Sequence, residues 1–377
     1  MRFNRLMPFL LAATLPAADF TTATYRQVAK GDGNLILSPF NISTALSMVL
    51  LGARGKTADE MRTVLHTPKN PADYAALEKA GNTGGNELHA ANGLWVQKGF
   101  AIEPAFEKTL AGQYQARVTL LDFLTNPEGA RAQINTWTAE QTKDKIKELF
   151  PAGSFNAQTR LVLTSAIYFY GKWESPFSVS QTKPAPFTLL AGGTKQADFM
   201  NKTARFAYAE TEFMQLLEMR YAGTGIAFDV LLPKTPGGLP ALENSLTPEK
   251  ITSWLGSLAV RNVQVSLPKF RSDSAFNLSG VLSTMGMPTA FSKQADFSGI
   301  DGRRDLQISE VAHKAFIDVS EQGTEAAAAT GVGLRSMAVR RPEPAIDFRA
   351  DHPFLFLIRD TSSGTILFIG RLMDPLL

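Results

Sequence analysis

The chain has no cysteine and only four histidines in 377 residues. The first absence excludes disulfides, thiol nucleophiles and thiolate-bound metals. The second leaves His66, His89, His313 and His352, none spaced to share a metal with another, so no metal site is expected. An excess of one charge is missing too. Lys plus Arg number 38 against 35 Asp plus Glu, a formal charge of +3, which points to neither a nucleic acid nor an acidic polymer as partner. The sequence also lacks a Gly-x-Ser-x-Gly elbow, a phosphate loop, a dinucleotide fingerprint and any repeat period. No enzyme and no cofactor are expected. The N-terminal apolar run from Leu6 to Leu15 is too short to span a bilayer.

What is present is an ample apolar fraction, 44% hydrophobic residues, enough for a large core. Arg2 and Arg5, the apolar run and the small residues Ala17 and Ala18 have the layout of a secretory signal peptide over residues 1–17, so an extracellular or periplasmic protein is expected. Helical spacing follows over Ala18 to Lys30. Ser38-Pro39 opens an apolar helix, Ile42 to Gly52, with almost no polar face and therefore buried. Pro127 to Phe150 reads as the longest amphipathic helix, with Ile134, Trp137, Ile146 and Leu149 on its apolar side. Arg160 to Tyr170 is a nearly continuous apolar run, as in a central strand covered on both faces. Strand patterns recur at Glu87 to Val96, Gln215 to Met219, Ala227 to Leu232, Val263 to Leu267 and Leu306 to Ser320, and the chain ends in a hairpin, Pro353 to Arg359 with Thr365 to Leu372. Helices lead and strands follow, which indicates an α+β fold.

The segment Glu321 to Arg341 stands apart. From Thr324 its even positions are Thr324, Ala326, Ala328, Thr330, Val332 and Leu334, all small or apolar, while Glu325 and Arg335 fall on the odd side. That is strand periodicity with no proline before Pro342 to interrupt a ladder. Four successive alanines and three glycines nevertheless make a poor permanent strand. By itself the segment reads either as a flexible linker or as a strand not yet in a sheet.

Taken together, Asn34 to Thr57 (NLILSPFNISTALSMVLLGARGKT), Leu163 to Phe177 (LTSAIYFYGKWESPF), Leu267 to Phe270 (LPKF), Gly286 to Phe291 (GMPTAF), the Glu321 to Arg341 segment and the closing ADHPFLFLIRD and ILFIGRLMDP motifs resemble the serpins. The resemblance runs in family order from about Ala18 to Pro375. It implies one domain over residues 18–377, three β-sheets and about nine helices, and an exposed reactive-centre loop at about 324–341. It also implies a monomeric inhibitor of serine proteases. The protease attacks the loop as a substrate, the cleaved loop enters the large sheet as a new strand, and the acyl-enzyme is trapped. The runner-up is a family member without inhibition, of the chaperone or storage kind.

The resemblance also assigns roles to residues. The hinge is Gly323, Thr324, Glu325, Ala326, Ala327, Ala328 and Ala329, free of proline as inhibitory members require. Counting seventeen residues from Glu321 places the reactive bond between Met337 and Ala338, which suits an elastase-, chymotrypsin- or subtilisin-like protease. Counting back from Asp351-His352-Pro353 places it nearer Arg340, and Arg335, Arg340 or Arg341 would suit a trypsin-like one. Under the sheet centre, a shutter of Ser38, Asn41, Ser165 and His313 departs from the family pattern: Asn41 replaces a serine and Ser165 an asparagine, so amide and hydroxyl exchange places. At the top of the sheet, Trp173, Lys269 and Glu321 match the breach, with an ion pair expected between Glu321 and Lys269. Heparin-type activation is not expected, since Pro68 to Asn92 carries only Lys69 and Lys79 as basic residues.

Overall fold

The computed structural model describes residues 19–66, 71–324 and 344–377. In chain order the elements are α1 (Phe20–Val28), β1 (Leu35–Leu37), α2 (Pro39–Leu50), α3 (Gly55–Leu65), α4 (Pro71–Gly81), β2 (Glu87–Gln97), α5 (Pro104–Tyr114), β3 (Val118–Leu121), α6 (Pro127–Gln141) and β4 (Leu161–Lys172). Then come β5 (Lys183–Thr188), β6 (Thr194–Glu210), β7 (Met214–Arg220), β8 (Ile226–Pro233), α7 (Leu239–Ser245), α8 (Pro248–Gly256), β9 (Ala259–Pro268) and β10 (Phe270–Asn277). The rest are α9 (Ser279–Met285), α10 (Ser298–Asp301), β11 (Ile308–Ser320), β12 (Gly323–Thr324), β13 (Ile346–Arg349), β14 (Phe354–Asp360) and β15 (Ile366–Leu372).

The strands pair into a six-stranded sheet, β10-β11-β12-β4-β2-β3, and a nine-stranded network, β1-β15-β14-β8-β7-β6-β9-β13 with β5 on β6. The network contains two of the three expected sheets. They are continuous because the 17-residue β6 pairs β5 over residues 194–199, β9 over 199–208 and β7 over 207–210. No helix among the described residues is long and apolar enough to cross a membrane.

In the six-stranded sheet β4 and β11 are neighbours and run parallel, from Ile308 opposite Leu161 to Phe316 opposite Tyr168. β4 is buried along nearly its whole length. One face of this seam is covered by α6 and the segment after it: Ile134, Ile146, Leu149 and Phe150 form a cluster with Val162 and Ala166 of β4 and Ala312 of β11.

The sequence expectation of one helix to Phe150 fails here, because α6 ends at Gln141 and Lys143 and Asp144 turn with φ of 50° and 59°. Two consecutive left-handed residues cannot continue a right-handed helix. The apolar residues beyond lie on the sheet as a strap.

Under the other face lies α2. Ser38 is its N-cap, its hydroxyl accepting from the Asn41 N–H at 3.1 Å, and Pro39 occupies the first turn, where its missing N–H costs nothing. Eleven of the twelve α2 residues are buried, which places Asn41 directly beneath the seam.

The nine-stranded network buries an ion cluster. The Arg359 guanidinium of β14 bonds Asp229 of β8 at 2.7 Å and Glu218 of β7 at 2.5 Å, with Asp229 wholly inaccessible. Burial raises the Asp229 carboxyl to about 7, against the pull of Arg359. Glu218 also meets Arg220 at 2.9 Å.

Candidate functional site

The top of the six-stranded sheet is built around a two-residue strand. After β11 the chain turns at Glu321 and Gln322 and comes back as β12. β12 is antiparallel to β11, with Thr324 opposite Val319, and antiparallel to β4, with Gly323 opposite Lys172 and Thr324 opposite Gly171. It therefore stands between two strands that pair directly with each other lower down.

Gly323 has φ of 149°, and a Cβ there would sit 1.8 Å from the Gly171 carbonyl oxygen, so glycine alone fits. Thr324 is inaccessible, and its hydroxyl meets the Tyr221 hydroxyl at 2.6 Å, which directs the even-numbered face of this strand into the core.

The breach residues converge on the turn. Lys269 Nζ lies 3.1 Å from Glu321 Oε2, and the Thr182 hydroxyl donates to Oε1 at 2.8 Å. Burial pushes the Glu321 carboxyl up. Hydrogen bonds from its own backbone N–H, Thr182 and Lys269 outweigh that and hold it below the usual carboxylate range. Trp173 donates its indole N–H to the Ser320 carbonyl and its backbone N–H to the Gln322 carbonyl, both at 2.9 Å. Its ring stacks on Tyr221 at 4.7 Å.

The shutter residues converge as well. The Ser38 N–H donates to His313 Nε2 at 2.9 Å, which makes that nitrogen the acceptor and leaves the proton on Nδ1. Nδ1 faces the Ser165 carbonyl at 2.7 Å and the Ser165 hydroxyl at 3.0 Å. The Asn41 amide donates to Ser165 Oγ at 3.0 Å and to the Ala166 carbonyl at 3.1 Å. The exchanged pair, Asn41 and Ser165, thus joins α2 to β4, and His313 carries the chain of bonds across the seam to β11. Complete burial lowers the His313 pKa to about 3, so the imidazole is neutral.

Asn92 of β2 is a further member that the sequence reading missed, its amide donating to Asn41 Oδ1 at 2.7 Å. The signal was available as a lone amide in the Leu88, Ala90, Asn92, Leu94 row.

Of the other expected site residues, Glu325, Ala326, Ala327, Ala328 and Ala329 of the hinge lie outside the described residues, as do Arg335, Met337, Ala338, Arg340 and Arg341. His352 is not part of either cluster; its Nε2 meets the Pro233 carbonyl at 2.7 Å.

The serpin (serine protease inhibitor) family model matches residues 16–375. A serpin-like protein of Thermococcus kodakarensis is 40% identical over 95% of this chain and 84% of its own. The leukocyte elastase inhibitor of Bos taurus is 41% identical over 91% of this chain and 93% of its own. Among solved structures, uncleaved ovalbumin superposes with a TM-score of 0.85 at 28% identity, covering 95% of this chain and 98% of that one. The expectation of a secreted protein is corrected by these relatives: the leukocyte elastase inhibitors are intracellular, which points away from secretion despite the apolar N-terminal run. The family match, the relatives and the fold agree on one assignment: the chain belongs to the serpin (serine protease inhibitor) family.

Proposed function

We propose that this chain is a suicide-substrate inhibitor of a serine protease, cleaved between Met337 and Ala338. The observation that carries the reading is β12, which is already antiparallel to both β4 and β11 at the top of their parallel seam. Extending it downward replaces one parallel ladder with two antiparallel ones, the more stable pairing per residue.

The register of β12 supports one course for that extension. In β12 the paired numbers with β11 sum to 643 (324 with 319), and with β4 to 495 (324 with 171). Residue 330 therefore arrives opposite His313 and opposite Ser165, the two residues that now face each other across the seam. Thr330 is on the same even face as the inward-pointing Thr324. Its hydroxyl takes up the polar groups that the separation of Ser165 from His313 releases. Below it Val332 and Leu334 continue the apolar face, and above it Ala326 and Ala328 enter without steric obstruction.

Met337 in the first position of the reactive bond favours an elastase-, chymotrypsin- or subtilisin-like target, and a name such as leukocyte elastase inhibitor among the relatives supports the same choice. Incubation with elastase and, separately, with trypsin tests the reading. An elastase adduct that survives denaturing electrophoresis is expected. Cleavage without an adduct by any serine protease tried favours the non-inhibitory alternative.

A further inference from the structure

We propose that Lys202 is a covalent site for a small polyhydroxylated aldehyde, an open-chain reducing sugar, whose carbonyl carbon condenses with the lysine amine to an imine.

Lys202 lies in β6, opposite Val265 of β9, and is half-buried where the segment after β4 comes against that strand. Its Nζ donates to the Ser175 hydroxyl oxygen and, at 2.9 Å, to the Pro176 carbonyl, both neutral acceptors. Among the described residues no carboxylate pairs with it, whereas Lys143, Lys195 and Lys269 each meet one. Burial without a counter-charge disfavours the ammonium form, and the Lys202 pKa is lowered accordingly. The two hydrogen bonds suit the neutral amine. An –NH2 group has two N–H donors, both taken here, and keeps its lone pair for a carbonyl carbon. A lysine held in this way is the kind that forms Schiff bases.

The walls indicate which aldehyde fits. A cavity of about 400 Å³ opens beside the amine, lined, besides Lys202 and Pro176, by Ser178, Gln181, Asn201, Thr203 and Gln264. These side chains offer hydroxyls and amides, with no acid and no large apolar group among them. The Asn201 amide N–H groups are spent on the Gln181 and Phe199 carbonyls, at 3.0 and 2.9 Å, which leaves Oδ1 to accept from a sugar hydroxyl. An alkyl aldehyde finds no apolar wall to cover it. A phosphorylated one finds no second cation on the lining.

The condensation needs no oxidant or reductant. The nitrogen lone pair forms the first C–N bond as the carbonyl π pair moves to oxygen. That oxygen leaves as water with both amine protons while the second C–N bond forms. The Ser175 hydroxyl, an acceptor before the reaction, can then donate to the imine nitrogen.

For the test, the full chain is incubated with D-glyceraldehyde and sodium cyanoborohydride, which reduces imines to stable secondary amines, and each lysine is mapped by peptide mass spectrometry. Lys202 is expected to be labelled about tenfold or more faster than the median lysine. Ser175→Asp, at an exposed position, sets a carboxylate on the amine and keeps it protonated, so the excess is expected to vanish. Propanal, with the same carbon chain and no hydroxyls, should give a smaller excess. Labelling of Lys202 no faster than the median overturns the site; this comparison is internal to the wild type and holds even where the variant melts early. An excess that survives in a folded Ser175→Asp overturns the neutral-amine chemistry, and an equal excess with propanal overturns the sugar as ligand.

Discussion

Lowering the pH from 7.5 to 5 perturbs the seam through one side chain. His313 is neutral in the fold because burial holds its pKa at about 3, against 6.5 for an unburied histidine. The folded value is the lower one. The stability this neutral imidazole contributes is thus fully present above pH 6.5 and is lost as the pH falls from there toward 3. At pH 5 the unfolded chain holds the proton almost completely and the folded chain hardly at all, so linkage removes about 2 kcal/mol. The assay is the free energy of the first urea transition at pH 7.5 and at pH 5, in the wild type and in His313→Gln, which retains a donor and an acceptor. Because every other ionisable group is common to both proteins, the difference between the two pH responses isolates His313. A wild type that loses about 2 kcal/mol more than the variant is expected. Equal losses in the two would refute the buried, neutral imidazole.

Three further outcomes follow from named contacts. Glu321→Lys sets a second cation against Lys269 in a buried turn, so spontaneous opening and polymer formation are expected on mild heating, read on a native gel; an unchanged monomer ladder counts against the breach pairing. Thr330→Arg places a charge between His313 and Ser165 during insertion, so the cleaved-to-complexed ratio with elastase should rise about tenfold or more by densitometry. An unchanged ratio would show that the register is wrong. Arg359→Met strands Glu218 and Asp229 without their shared cation and should cost roughly 3–5 kcal/mol by thermal or urea unfolding. A loss under about 1 kcal/mol would mean that the cluster is not held as a charged set.

Much of this site was legible in the sequence because single residues carry it. Trp173, Lys269 and Glu321 are far apart in the chain, each just outside a strand, yet each belongs to a short motif, and the structure gathers them at one turn, Lys269 on Glu321 and Trp173 on the carbonyls either side of it. The exchange of Asn41 and Ser165 was likewise visible as chemistry, one amide and one hydroxyl. Less legible was whatever depends on long-range pairing. β6 alternates Phe199, Met200 and Phe206 with charged residues so irregularly that its 17-residue course follows from its partners β5, β7 and β9. The strap after α6 has helical spacing at Ile146 and Leu149, and only two left-handed residues before it end the helix. The N-terminal run shows the weakness of composition read alone: positive charge, apolar stretch and small residues met the export pattern, and relatives of another compartment overruled it.

The claim on which the mechanism depends is that the cut loop becomes a strand between β4 and β11, and thermal unfolding of the loop-cleaved protein tests it most directly. About ten added ladder hydrogen bonds at about 1 kcal/mol each stabilise the cleaved form by about 10 kcal/mol. For a chain of 377 residues that corresponds to a rise in Tm on the order of 10 °C. The account predicts a cleaved protein that melts at least that much higher than the intact one. A cleaved protein that melts at the same temperature or lower would contradict it.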